Sequence, residues 1–147
     1  MTNLTSSTVL VTGASRGYGA GIAKAFSDCG ARVWITGRNP SKLQETAERI
    51  GATPFAADVA DGSAWDRLLG DILSHTWRLD ILVNNAGEGV RIAETREQTD
   101  ESITQSLASN LTGAMLGCRR VAAIMQRQGN GLIVNIGSAC STHAWSG

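Results

Sequence analysis

A chain of 147 residues can bury one ordinary hydrophobic core and falls short of two. Its 13 basic residues balance 13 acidic ones and lie scattered, without blocks or interleaved aromatics, so no long-range field argues for nucleic acid or an anionic membrane. No stretch is apolar for long enough to span a bilayer, and the opening MTNLTSSTVLVTG lacks the basic start and long apolar run of a signal peptide.

In chain order, Thr8-Val-Leu-Val11 predicts a short strand that runs into glycines. Tyr18, Ile22, Phe26 and Cys29 then recur at helical spacing, with Gly30 placed as the helix stop. Arg32-Val-Trp-Ile35 predicts a second strand. Asn39-Pro40 reads as an N-cap followed by proline at the first helical position, and Leu43, Ala47 and Ile50 give that helix an apolar stripe ending at Gly51. Pro54-Phe-Ala-Ala57 is a weaker third strand, followed by a helix with Trp65, Leu68, Leu69, Ile72 and Leu73 on its buried side. Ile81-Leu-Val83 predicts a fourth strand entering Asn84-Asn85-Ala86-Gly87. A single long helix is expected from about Thr99 to Gln128, carrying Ile103, Leu107, Leu111 and Ala114, and Leu132 to Ile136 is the fifth strand. Strand–helix alternation of this kind predicts an α/β fold: a doubly wound parallel sheet with helices on both faces, because each parallel return needs a crossover.

The most informative segment is V11-T-G-A-S-R-G-Y-G-A-G21, which leaves a predicted strand and opens a predicted helix. Gly13 suits a tight turn, while Gly17 and Gly19 let backbone approach a pyrophosphate at the helix start. The spacing T-G-x-x-x-G-x-G resembles that of the short-chain dehydrogenase/reductase family, and further landmarks follow in order: Asp58 after the third strand, N-N-A-G at Asn84–Gly87, Asn110 in S-N-L-T-G, and Ser138 in V-N-I-G-S-A. The resemblance covers essentially the whole chain and implies a Rossmann-type fold with nicotinamide-dependent oxidoreductase activity. It implies cofactor contacts from Gly13, Ser15, Arg16, Gly17, Tyr18, Gly19, Arg38, Asp58, Val59, Asn85, Ala86 and Gly87, and catalytic roles for Ser138 and Asn110. In that scheme Asp58 faces the adenine amino group, Ser138 holds the substrate oxygen and Asn110 supports a water relay.

The cofactor choice turns on one phosphate of the adenosine ribose. Strand two ends in I35-T-G-R38, so Gly37 stands where NAD-preferring relatives carry an acid, and Arg38 follows; Arg16 supplies a second guanidinium. Planar donor pairs suit a phosphate, so NADP(H) is expected and NAD(H) is the less favoured cofactor. The substrate is a small carbonyl compound or alcohol; 3-oxoacyl thioesters, sugars, steroids and xenobiotics all stay open.

Other residues read more plainly. Cys29, Cys118 and Cys140 lack metal-ligand spacing, so buried free thiols in a reducing compartment, the cytoplasm, are expected, and no metal. His75 closes a helix and His143 has no partner in the pattern; neither is assigned a catalytic role. Trp34, Trp65 and Trp77 are expected in or at the edge of the core, and Trp145 in a terminal loop that forms part of the substrate wall in relatives.

In the family pattern a Y-x-x-x-K follows the serine by roughly a dozen residues, beyond Gly147. The only tyrosine is Tyr18, and the two lysines, Lys24 and Lys42, lie in the first two helices. The expectation is therefore an incomplete nucleotide-binding domain over residues 1–147, the N-terminal part of a reductase without strands six and seven, inactive on its own. The alternative is a catalytically silent nucleotide-binding module. A homo-oligomer, dimer or tetramer, is expected through the long helix, with an apolar face around Met115, Cys118 and Ala122 left bare.

Overall fold

The β-branched run Thr8–Val11 forms the first strand, β1, and all four of its residues are buried, as a central strand covered on both faces requires. The structure, a computed structural model, describes residues 4–88 and 94–139. Four more strands, β2 (Arg32–Gly37), β3 (Thr53–Ala56), β4 (Ile81–Asn84) and β5 (Leu132–Asn135), complete a parallel sheet of order β3-β2-β1-β4-β5. Helices α1 (Gly17–Asp28), α2 (Pro40–Ile50) and α3 (Gly62–Thr76) connect the first four strands. Before β5 come a 3₁₀ turn (Thr95–Glu97), α4 (Asp100–Leu107), a π turn (Ala108–Thr112) and α5 (Gly113–Gln128).

Strand periodicity of two divides the core into two layers. Val9, Val11, Val33, Ile35 and Val83 point to one face and pack with Ala23, Leu43, Ala47 and Ile50 of α1 and α2. Leu10, Trp34 and Leu82 point to the other, against Trp65, Leu68 and Ile72 of α3 and Val121, Ile124 and Met125 of α5. Truncating one such leucine to alanine would typically cost about 2–5 kcal/mol. This is a Rossmann-like sheet, as predicted.

The helix ends are mostly fixed by local chemistry. Asn39 accepts the amide of Lys42 at 3.0 Å with Pro40 at N1, and Gly51 closes α2 at φ +69°. Asp61 accepts the amide of Ser63 at 2.8 Å, and Thr99 and Ser102 form a reciprocal capping box at α4. The hydrogen bonds from Ser63, its hydroxyl first and its amide next, hold the Asp61 carboxyl below its ordinary range.

Several expectations fail for identifiable reasons. Trp77 is 87% exposed instead of packed. It takes the left-handed C-cap position of α3, with φ +62°, which turns the chain and leaves the indole outside. Such a non-glycine conformation costs about 1–2 kcal/mol. Cys29 and Cys118 are free thiols but only partly buried. The expected long helix carries a π turn in its middle, and Ile103, Leu107 and Leu111 lie exposed along it. Tyr18, expected on the apolar stripe of α1, is 87% exposed at its first turn. Cys140, His143 and Trp145 lie outside the described residues.

Candidate functional site

β1 leads into α1 on one face of the sheet, whereas the chain after β4 proceeds to α5 on the other. The C-terminal ends of these adjacent strands therefore diverge, and open α/β sheets bind ligands at such a switch point. Gly13 makes the turn out of β1 with φ +65°, and a Cβ there would stand 2.6 Å from the Ala86 Cα. At Gly19 a Cβ would meet the Gly13 carbonyl oxygen at 2.7 Å. The glycine turn and the loop after β4 thus touch backbone to backbone.

Thr12 joins the two segments. Its hydroxyl accepts the amides of Asn85 at 3.1 Å and Ala86 at 3.0 Å while donating to the Val83 carbonyl at 3.4 Å. Asn85 reciprocates, its Nδ2 donating to the carbonyls of Thr12 at 2.9 Å and Gly13 at 3.2 Å. Asn84 is turned inward and donates to Asn135 Oδ1 at 2.9 Å and to Cys118 Sγ at 3.3 Å. Cys118 therefore faces the sheet, contrary to its expected place on a bare surface.

The start of α1 differs from the capped starts of α2, α3 and α4. The first amides of any helix lack intrahelical acceptors and carry the positive end of the dipole. At α2, α3 and α4 a side chain caps them; at α1 Arg16 occupies the N-cap position without a side-chain cap bond, and the first turn holds no acid. That end opens on a crevice of about 120 Å³.

Of the predicted cofactor residues, Gly13, Ser15, Arg16, Arg38, Asp58, Val59, Ala86 and Gly87 line this crevice. Gly17, Tyr18, Gly19 and Asn85 do not, although all four belong to the segments that form it. Thr36, Ala57, Glu88 and Ser109 also line it and lie outside the predicted cofactor set. Thr36 brings a buried hydroxyl without a hydrogen-bond partner among the described residues. Asp58 holds its own turn with one oxygen, accepting the Ala60 amide at 2.9 Å. Across the mouth, Arg38 Nη1 lies 2.5 Å from Glu88 Oε1.

Asn110 sits in the π turn, which resolves the oddity of an asparagine in mid-helix: π turns inside α-helices recur at functional positions. Its Oδ1 accepts the Glu88 amide at 3.0 Å, and its Nδ2 donates to Ser106 Oγ at 3.2 Å. A Cβ on Gly87 would stand 2.5 Å from that Oδ1. Ser138 lies three residues past β5, after Ile136 has extended the pairing by donating to the Asn84 carbonyl at 2.9 Å. It is exposed at the same end of the sheet as the crevice and does not line it. His75 stays at the opposite end, its Nδ1 2.8 Å from the Asp71 carbonyl oxygen.

The chain resembles known proteins in both sequence and fold. Residues 7–147 match the family model described as short chain dehydrogenase. The chain is 36% identical to D-threitol dehydrogenase of Mycolicibacterium smegmatis, a match covering 92% of the chain and 54% of that protein. It is 32% identical to an NADP-dependent 3-hydroxy acid dehydrogenase of Escherichia coli, covering 95% and 57% respectively. The chain thus spans little more than half the length of these relatives. Among solved structures, a putative gluconate dehydrogenase from Agrobacterium tumefaciens superposes with a TM-score of 0.91 at 34% identity, covering 98% of the chain and 58% of the other. A metagenomic short-chain oxidoreductase in complex with NADP gives 0.88 at 33% identity, covering 93% and 64%.

Proposed function

The chain belongs to the short-chain dehydrogenase family, and from that membership we propose that it forms the nucleotide-binding part of an NADP(H)-dependent oxidoreductase acting on a carbonyl or secondary alcohol. The observation that carries the reading is the uncapped start of α1 beside a crevice flanked by Arg16 and Arg38, with Gly37 in place of an acid. Gly17, with φ +60° and no described atom within 4 Å of where a Cβ would stand, leaves the backbone at the helix start open to a polar ligand.

In this proposal the amides of Ser15, Arg16, Gly17 and Tyr18 meet the pyrophosphate, since a dipole end with unsatisfied N–H groups favours an anion. Arg38 and Arg16 take the ribose phosphate, whose charge and geometry match a guanidinium fork. Asp58 and Val59 face the adenine, and Asn85, Ala86 and Gly87 border the ribose. Bound NADP(H) supplies or accepts the hydride. Ser138 donates a hydrogen bond to the substrate oxygen, stabilising charge that develops there. Asn110 supports a water that relays a proton. The relatives named for D-threitol and for 3-hydroxy acids both handle hydroxylated carbon, which suits this substrate class. No tyrosine or lysine of the chain lies near Ser138 in sequence, so the 147 residues alone are proposed to bind nucleotide without turnover.

Calorimetric titration of the chain with NADP⁺ and NAD⁺ tests the cofactor assignment. NADP⁺ is expected to bind more tightly, and Arg38→Asp to reverse the preference by repelling the phosphate. Equal or tighter binding of NAD⁺ by the unaltered chain overturns it.

A further inference from the structure

Glu88 is absent from every motif discussed above, yet it links Arg38 at the crevice mouth to Asn110 of the π turn. Its carboxylate reaches Arg38 at 2.5 Å across the crevice mouth, and Gln105 Nε2 approaches the same oxygen at 3.5 Å. Its amide is held by Asn110 Oδ1 at 3.0 Å. The Glu88 side chain is only 23% exposed, against 57% for Arg38, so the acid is the more fixed member of the pair. Thr12 anchors the preceding residues Asn85 and Ala86 to the sheet, and this loop therefore holds the acid in a defined place.

We propose that Glu88 is a specificity-determining residue that occupies Arg38 in competition with the ribose phosphate of NADP(H), and so narrows the preference over NAD(H) that Arg38 would otherwise give. This inference rests on the proposed nucleotide site. The physical argument is one of like charge. For Arg38 to pair with a phosphate, Glu88 must release it or stand beside a second anion, and both outcomes oppose binding. NAD(H) carries a hydroxyl at that position and meets no such opposition. The acid on strand two that relatives use to select NAD(H) is thus replaced by an acid that arrives from the loop after β4 and can be displaced.

The test is titration of NADP⁺ and NAD⁺ into the unaltered chain, Glu88→Gln, Arg38→Gln and the double variant, with thermal melts to verify that each is folded. Glu88→Gln keeps the side-chain shape and removes the charge. It is expected to tighten NADP⁺ binding about fivefold, the upper range for a partly exposed ion pair, with a far smaller change for NAD⁺. The gain should vanish when Arg38 is already glutamine, because there is no pair left to break. An equal effect on both nucleotides, no effect on NADP⁺, or a gain that persists without Arg38 overturns the role of Glu88 while leaving the nucleotide site standing. Binding of neither nucleotide by any folded variant overturns the site and, with it, this inference.

Discussion

Thr12 shows how much a single hydroxyl can organise. It is 1% exposed, and with its one oxygen it receives two amides of the Asn85–Gly87 loop and donates to Val83. Valine would keep the volume but leave those amides without a partner, which costs about 1–3 kcal/mol for each buried group left unsatisfied. Thr12→Val is therefore expected to lower stability by about 2 kcal/mol, visible as a shifted urea midpoint, and to weaken nucleotide binding by loosening Ala86 and Gly87. Unchanged stability would mean that the loop is held by the Asn85 side chain alone. Asp58 and Arg38 line the crevice as their motif positions predict, whereas Glu88 enters it only because β4 lies beside β1.

At the scale of elements, the α4–π–α5 rod carries the most unusual surface. Ile103, Leu107, Leu111 and Met115 are 48%, 52%, 51% and 62% exposed, each four residues from the last. On a plain α-helix that spacing drifts around the axis by about 40° per step. The wider π turn at Ala108–Thr112 takes up part of the drift and keeps the four side chains on one ridge. A ridge of this kind favours association. Sedimentation of the chain at high concentration should show dimers or larger species, and Met115→Glu should raise the dissociation constant about tenfold or more. A clean monomer at millimolar protein would sink the idea. On the inner side, Arg120 of α5 binds Asp66 of α3 through Nε at 2.7 Å and Nη2 at 3.3 Å. The hydrogen bond from Arg120 holds the Asp66 carboxyl below its ordinary range. A depressed carboxylate contributes stability that is present above its unfolded value, near pH 4, and is lost as pH falls through the folded value. Asp66→Asn is accordingly expected to lower the melting temperature slightly at neutral pH and to flatten its fall in acid. A parallel fall in both proteins would remove the pair from the account.

For the molecule as a whole, one sheet divides two cores and sets the site at one end. β1 and β4 are central, and the crevice opens where their continuations part. β3 and β5 form the edges among the described residues. At the β5 edge Leu132 and, just past the strand, Ile136 are 54% and 46% exposed, and an edge of this kind invites further pairing. No helix among the described residues is long and apolar enough to cross a membrane. Placement of the site at the strand ends also explains why short, loop-borne motifs read so well: their residues are held by local turns whose chemistry is written in neighbouring positions.

The sequence by itself determined the alternation of strands and helices, the two-sided core and the turn at Gly13, because period, caps and glycine spacing act over a few residues. Through the family resemblance its motifs carry, it also pointed to most of the crevice lining, including Ser15, Arg16, Arg38 and Asp58. Tertiary structure decided the rest. The left-handed turn that exposes Trp77, the inward orientation of Cys118 and the π turn under Asn110 depend on which surfaces meet. The Arg38–Glu88 pair joins residues 50 positions apart, which become neighbours only when β2 and β4 are laid on either side of β1. Local periodicity carries no information about such a meeting, because it arises from the order of strands in space.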